Sequence, residues 1–308
     1  MNKYILSLLI ILTFIPSTFC QNISGKVFFN YSKPGNKDDI SSFGIKRTYL
    51  TVEKKVSVNI AYKFQADIDY KSSPQNIYVK NAKVDWITDQ GKVVIGLQGM
   101  NMFKIQETTW GKRYIEKSSM DQFKYSSSAD MGLGFYKSTN DISISALITN
   151  GSGYKKAEND DHKKISLQGI YGQQKLDKND GFNIGSVYST ESYDLDSSSV
   201  KNISVIGLFG GYASNGIRVG LELNQKNDNG LDIKGQLMSL YANYQTRKNI
   251  ALFLKYDMVS PNTKESDEDK TYLIAGIEYS PGKGLMISPN FRKTDDNSQL
   301  ILNFEFKF

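Results

Sequence analysis

Cysteine is all but absent. The one residue, Cys20, closes an apolar N-terminal segment, so a chain cut after it has no disulfide and no thiolate chemistry. Histidine occurs once, as His162 in the polar run Glu158–Lys164. A Ser–His hydrolase needs its histidine on a structured wall beside a serine, and a solvated loop histidine is the simpler reading. Arginine is limited to Arg47, Arg113, Arg218, Arg247 and Arg292, and the net charge of +6 is carried by lysine, which gives no strong reason to expect a nucleic-acid partner. No run of eighteen apolar residues follows the N-terminal segment, so a chain that spans a membrane must do so as a closed barrel. The acidic run Glu265–Asp269 has no calcium-ligand spacing and reads as solvated. Gly207, Gly210 and Gly211 form no phosphate-binding pattern. No catalytic set, cofactor or metal site is expected.

Met1–Cys20 has the layout of an export signal. Lys3 supplies the positive start, Tyr4–Ile15 an apolar core too short to span comfortably, and Thr18-Phe19-Cys20 the approach to cleavage before Gln21. Lipidation of Cys20 is the rival, and bulky Phe19 fits it poorly. Residues 21–308 then read as one domain without linker or low-complexity tract.

Aromatic residues are abundant, at 12 %, and proline is rare, with six in the chain. The closing stretch Leu300–Phe308 alternates: Leu300, Leu302, Phe304, Phe306 and Phe308 share one face, and Asn303, Glu305 and Lys307 the other, as a strand requires. Ile217–Lys226, Ile250–Val259 and Val56–Tyr70 alternate as clearly. Phe182–Glu191 and Asn202–Ala213 do so poorly, and Pro289 interrupts Leu285–Arg292. Sixteen strands are predicted, from Gly25–Tyr31 to Gln299–Phe308, including Tyr78–Thr88, Lys92–Met100 and Ala129–Lys137.

The connections sort by parity. Lys54-Lys55, Asp89–Gly91, Thr139-Asn140, Ser214–Gly216, Thr246–Asn249 and Pro281–Gly284 are tight. Ser32–Ser42, Lys71–Ile77, Asn101–Ser128, Asn150–His162, Ser192–Lys201, Asn227–Asp232 and Ser260–Lys270 are longer and polar, and only Leu176–Gly181 and Lys293–Ser298 are intermediate. Tight turns at one rim and long loops at the other predict a transmembrane antiparallel β-barrel of about sixteen strands, with both termini at the tight-turn rim. A secreted or surface β-sandwich that binds a carbohydrate is the alternative.

The third long loop, Asn101–Ser128, is too apolar for a solvated loop. Phe103, Trp110, Tyr114 and Phe123 predict that it folds into the lumen and packs on the inner wall. It would then bring Lys104, Lys112, Arg113, Lys117 and Lys124 to a constriction, with Glu107, Glu116 and Asp121 opposing them. Wall candidates include Arg47, Lys63, Lys83 and Arg218, with Asp85 among the acids. This surplus predicts a mild preference for anions, and pairing between these charges, holding the loop to the wall, is the competing role.

Over Tyr78–Thr149 the sequence resembles bacterial outer-membrane porins of the phosphate-selective O/P type. The resemblance is carried by Tyr-Val-Lys-Asn-Ala-Lys-Val-Asp-Trp, Val-Val-Ile-Gly-Leu-Gln, Arg-Tyr-Ile-Glu-Lys-Ser, Ser-Ser-Ala-Asp-Met-Gly-Leu-Gly and Ile-Thr-Asn-Gly-Ser-Gly-Tyr, and by the final Phe308. It implies an outer-membrane homotrimer, inserted into lipid by the barrel-assembly machinery, through which small ions and solutes diffuse passively past an inward third loop. The family's ladder of pore arginines does not map onto the five arginines here, so phosphate specificity does not carry over.

Overall fold

The computed structural model describes residues 21–35, 40–69, 75–158, 160–196, 199–265, 269–295 and 297–308. Met1–Cys20, the middle of loop Ser32–Ser42, most of Lys71–Ile77 and the centre of the acidic run Glu265–Asp269 lie outside these residues.

Sixteen strands follow one another: β1 (Asn22–Pro34), β2 (Ser42–Lys55), β3 (Ile60–Asp69), β4 (Asn76–Ile87), β5 (Lys92–Gly99), β6 (Ala129–Ser138), β7 (Ile142–Thr149), β8 (Lys164–Gly172), β9 (Gly181–Asp196), β10 (Ser199–Ser214), β11 (Ile217–Asp228), β12 (Ile233–Arg247), β13 (Ile250–Ser260), β14 (Lys270–Gly282), β15 (Leu285–Thr294) and β16 (Ser298–Lys307). Each pairs antiparallel with its sequence neighbours, and β1 pairs with β16, so the sheet closes. Closure leaves no sheet edge, which removes the β-sandwich alternative.

Two faces follow from the alternation. Leu221, Leu223, Leu240, Leu252, Leu254 and Met258 point outward and are exposed, while Glu222, Ser239, Lys255 and Asp257 point inward and are buried. That polarity is inverted relative to a soluble protein and suits hydrocarbon outside and water or polar contacts inside. At the seam, the backbone N–H of Gly25 donates to the Phe308 carbonyl at 3.0 Å, and the Phe308 ring lies where a Cβ of Gly25 would be.

Several boundaries differ from expectation. β2 runs through Lys55, and the first turn is Val56–Asn59 rather than Lys54-Lys55. Val58, placed by alternation on the outer face, sits at the turn and is 90 % exposed. β9 and β10 are 16 residues each and take up most of the expected loop Ser192–Lys201. Pro289 has a simple account: the β14–β15 ladder passes from Gly276–Asn290 to Tyr279–Ile287 in unchanged register without pairing it, while the β16 side pairs Pro289 with Leu302. The missing N–H is on the β14 side only.

Two β-bulges matter for the interior. In β2, Lys46 is the extra residue between the Arg47–Phe28 and Ile45–Phe29 pairs. In β4, Lys80 is the extra residue between Asn81–Gln65 and Val79–Ala66. Each bulge turns two consecutive side chains inward.

Gly132 of β6 lies against the backbone of Ile148 and Thr149 with no room for a Cβ. Overpacking costs about 1–3 kcal/mol where neighbours can yield, and backbone yields least. Gly132→Val is therefore expected to reduce the fraction of heat-modifiable barrel on an unboiled detergent gel, and Gly169→Ala, at a position with nothing within 4 Å, to leave it unchanged.

Candidate functional site

The chain between β5 and β6 turns into the lumen, as its apolar residues predict. It forms two short helices, α1 (Lys104–Trp110) and α2 (Ser119–Gln122), which strand patterns did not anticipate. α1 ends at Gly111 in the left-handed region (φ 70°), where its N–H caps the Glu107 carbonyl and the Arg218 guanidinium occupies the space a side chain would need.

The loop is seated on the far wall, β10–β16. Trp110 is fully buried, with ring centroids 5.8 Å from Tyr241 and 6.0 Å from Phe253. Its carbonyl accepts from Asn243 (3.3 Å) and Arg218 (3.4 Å). The wall leaves room for the loop at glycines: Met120 packs at Gly207 and Thr109 at Gly211. This is why Asn202–Ala213 alternates poorly, since its inward face is shaped to hold the loop.

Ion pairs complete the seat. Lys112 pairs with Glu278 at 2.8 Å, and the Tyr114 hydroxyl donates to the same carboxylate at 2.8 Å. Arg292 pairs with Glu116 and donates to the Ile115 carbonyl at 2.6 Å, a carbonyl that also accepts from Lys46 at 2.9 Å. Ser119 donates to Asp257 at 2.8 Å and accepts from Lys255 at 3.0 Å. Burial alone would raise the Glu116 carboxyl, but Lys46 and Arg292 outweigh it and lower it to about 2. Glu107 is likewise held low by Lys104 and Arg113 against burial. Burial lowers the Lys112 ammonium despite Glu278.

Because the loop lies on β10–β16, the open space runs along the opposite wall. A cavity of about 900 Å³ extends from the tight-turn rim to the loop. Ten cations line it: Lys26, Lys54, Lys55, Lys63, Lys80, Lys83, Lys92, Lys104, Arg113 and Lys307; the carboxylates are Glu53, Asp85, Glu107, Asp177 and Glu305. Lys63 pairs with Glu53 and Lys83 with Asp85, each at 2.7 Å. Arg113 pairs with Glu107 at 3.0 Å and Asp121 at 3.2 Å. Lys26, Lys80 and Lys92 make no ion pair among the described residues; Lys80 stands over the rings of Tyr49 (4.9 Å) and Tyr154 (5.4 Å), and Lys92 over Tyr136 (4.9 Å).

The sequence-derived candidates therefore divide. Lys104, Glu107 and Arg113 line the passage, as do the wall residues Lys63, Lys83 and Asp85. Lys112, 3 % exposed, and Glu116 are anchors turned into the wall, not constriction charges. Arg218 also holds the loop rather than lining the passage. Arg47 is bound to Asp67 at 2.7 Å, and Lys117 to Asp121 at 3.3 Å, and neither lines this cavity. Lys124 is exposed at the end of α2, its carbonyl accepting from Lys226 at 3.5 Å. Lys80 and Lys26 were missed. Strict alternation from Lys83 and Asp85 puts Lys80 on the lipid side, and the bulge reverses that; Lys26 needed only its shared face with Phe28.

His162 lies on the long-loop side, its Nε2 2.9 Å from Asp194. Among the described residues no three His, Cys, Asp or Glu side chains are placed to hold a metal together.

No protein-family model matches the sequence, and no curated protein sequence does. Solved structures do match in fold. An outer-membrane protein OmpT of Vibrio cholerae, in a trimer form, aligns with TM-score 0.72 and 12 % identity over 94 % of this chain and 99 % of its own. OmpF of Salmonella typhi, in complex with daunomycin, aligns at 0.71 and 13 % over 94 % and 97 %. An anion-selective porin from Comamonas acidovorans aligns at 0.71 and 11 % over 94 % and 99 %. The chain has the fold of bacterial outer-membrane porins.

Glu116 also sets a pH limit. Its folded value lies below the ordinary 4.5, so the contribution of its ion pair to docking is complete above about pH 4.5 and lost as pH falls toward 2. Fluorescence of Trp110, with Trp86 replaced by Phe, should hold steady through mild acid and shift only in that window. Arg292→Leu, which removes one of the two cations beside Glu116 and leaves Lys46, should raise the midpoint.

Proposed function

We propose that this barrel is an outer-membrane porin: a water-filled channel for passive diffusion of small hydrophilic solutes and ions, with a mild preference for anions. The observation that carries the anion preference is the lining of the open passage, ten cations against five carboxylates, with Lys26 and Lys80 free of ion pairs among the described residues. In a narrow passage with low-dielectric walls such an excess concentrates anions more than the same charges at a surface. The apolar outer face meets lipid. Export would remove Met1–Cys20, and the terminal strand with Phe308 would be read by the barrel-assembly machinery. A homotrimer is the assembly we favour, in keeping with the sequence resemblance and the trimer form of the Vibrio protein.

Kinship with the phosphate-selective O/P porins rests on Tyr78–Thr149. Within it Gly96 and Gly132 face each other across β5 and β6 where the loop departs. Phosphate specificity is not part of the proposal, because Arg47, Arg113, Arg218 and Arg292 are each engaged with a carboxylate or the loop backbone.

Selectivity tests the reading. In a KCl gradient across a planar bilayer, wild type should give a reversal potential on the anion side, shrinking as salt rises because exposed charges are screened. Lys26→Glu with Lys80→Glu should move it toward cations, and Lys117→Glu, outside the passage, should move it much less. An unchanged potential in the double variant would sink the assignment of the passage. Removing Lys104–Lys124 should raise single-channel conductance.

A further inference from the structure

Asp67 is a buried carboxylate with a cation on either side. It lies on β3, 0 % exposed, between the two bulged strands. The bulge in β2 brings Arg47 inward on one flank, and the bulge in β4 brings Lys80 inward on the other. Arg47 holds the carboxylate. Its guanidinium donates to Asp67 Oδ2 at 2.7 Å. The same oxygen accepts from the Tyr154 hydroxyl at 2.8 Å. Tyr154 belongs to the connection between β7 and β8, and its N–H donates to the Ala129 carbonyl at 3.1 Å.

Lys80 is close to this group but bonded elsewhere. Its ammonium stands over the Tyr154 ring, 5.4 Å from the centroid, and donates to the Tyr49 hydroxyl at 3.4 Å. Tyr49 is the direct cross-strand partner of Asp67. The same two tyrosines therefore adjoin both charges. Tyr49 and Lys80 line the passage, whereas Arg47, Asp67 and Tyr154 do not, so the carboxylate is held behind the lining. Arg47 suits that task, because a guanidinium keeps its charge and directs its N–H groups at a carboxylate. A buried carboxylate that loses its cation is costly and takes another within reach. Arg113 and Lys117 are engaged by Glu107 and Asp121. Lys80 is then the neighbour left to answer Asp67, and its turn would replace a free ammonium at the passage by a neutral pair.

We propose that Arg47 and Tyr154 are positioning residues for selectivity: by holding Asp67 behind the lining, they keep Lys80 unpaired and its charge available to anions. The inference rests on the reading of the passage as anion-preferring.

The test uses the barrel in planar bilayers under a KCl gradient, with heat-modifiable mobility showing that each variant is folded. Arg47→Met should move the reversal potential toward cations by about as much as Lys80→Met, although Arg47 does not line the passage. Arg47→Met with Asp67→Asn should restore the wild-type value, and Arg47→Lys should keep most of it. Tyr154→Phe alters no charge and should move the potential part of the way. Crystals of Arg47→Met should show Lys80 paired with Asp67. A potential unmoved in Arg47→Met overturns the inference, as does a Lys80 still apart from Asp67 in that crystal. A shift in Arg47→Met with none in Tyr154→Phe reduces the effect to a lost charge and overturns it too. A wild type without anion preference counts against the reading of the passage instead, and the Arg47→Met crystal then decides where Lys80 turns. Should Arg47→Met not fold, the potential of Tyr154→Phe decides.

Discussion

Hydrocarbon offers a backbone amide nothing to bond to, and each unpaired group there costs several kcal/mol. The whole architecture follows from meeting that demand with strands. Sixteen of them pair in sequence, and β1 meets β16 in register over Lys26–Lys307 to Pro34–Gln299. Pro289 is accommodated because only one of its neighbours loses a donor. Once the sheet is closed, inward and outward are fixed for every residue, and the lumen becomes a place where charge can be held inside a membrane.

What is held there is divided by the loop. Trp110, Met120 and the pairs Lys112–Glu278 and Arg292–Glu116 bind it to β10–β16, which carry glycines where the helices approach. The loop meets the β1–β5 wall at Phe28 and Lys46, and that wall carries most of the cations of the passage. Buried pairs such as Lys112–Glu278 and Arg292–Glu116 bring little net stability beyond apolar packing, but breaking one leaves a charge stranded. They therefore define where the loop sits more than how tightly it is held.

Much of this was legible in the sequence. The strand periodicity of β11, β13 and β16 and the parity of loop lengths identify the closed sheet, and Phe103, Trp110 and Tyr114 place the third loop inside, because apolar side chains on a loop need a partner surface. Direction within the lumen was not legible. Lys112 and Arg113 are adjacent, yet one enters the wall and the other faces the passage, and nothing in composition or spacing distinguishes them. The short helices were hidden for the same reason: their burial comes from a wall distant in sequence. The bulges were invisible because a strand pattern read by strict alternation has no place for an extra residue, and so Lys80 fell on the wrong face.

The bulge at Lys80 has an evolutionary reading. A single inserted residue in β4 changes which of two neighbours touches water while leaving strand number, closure and the rest of the ladder unaltered. Gain or loss of one codon can thus change the charge that the lumen presents in one step.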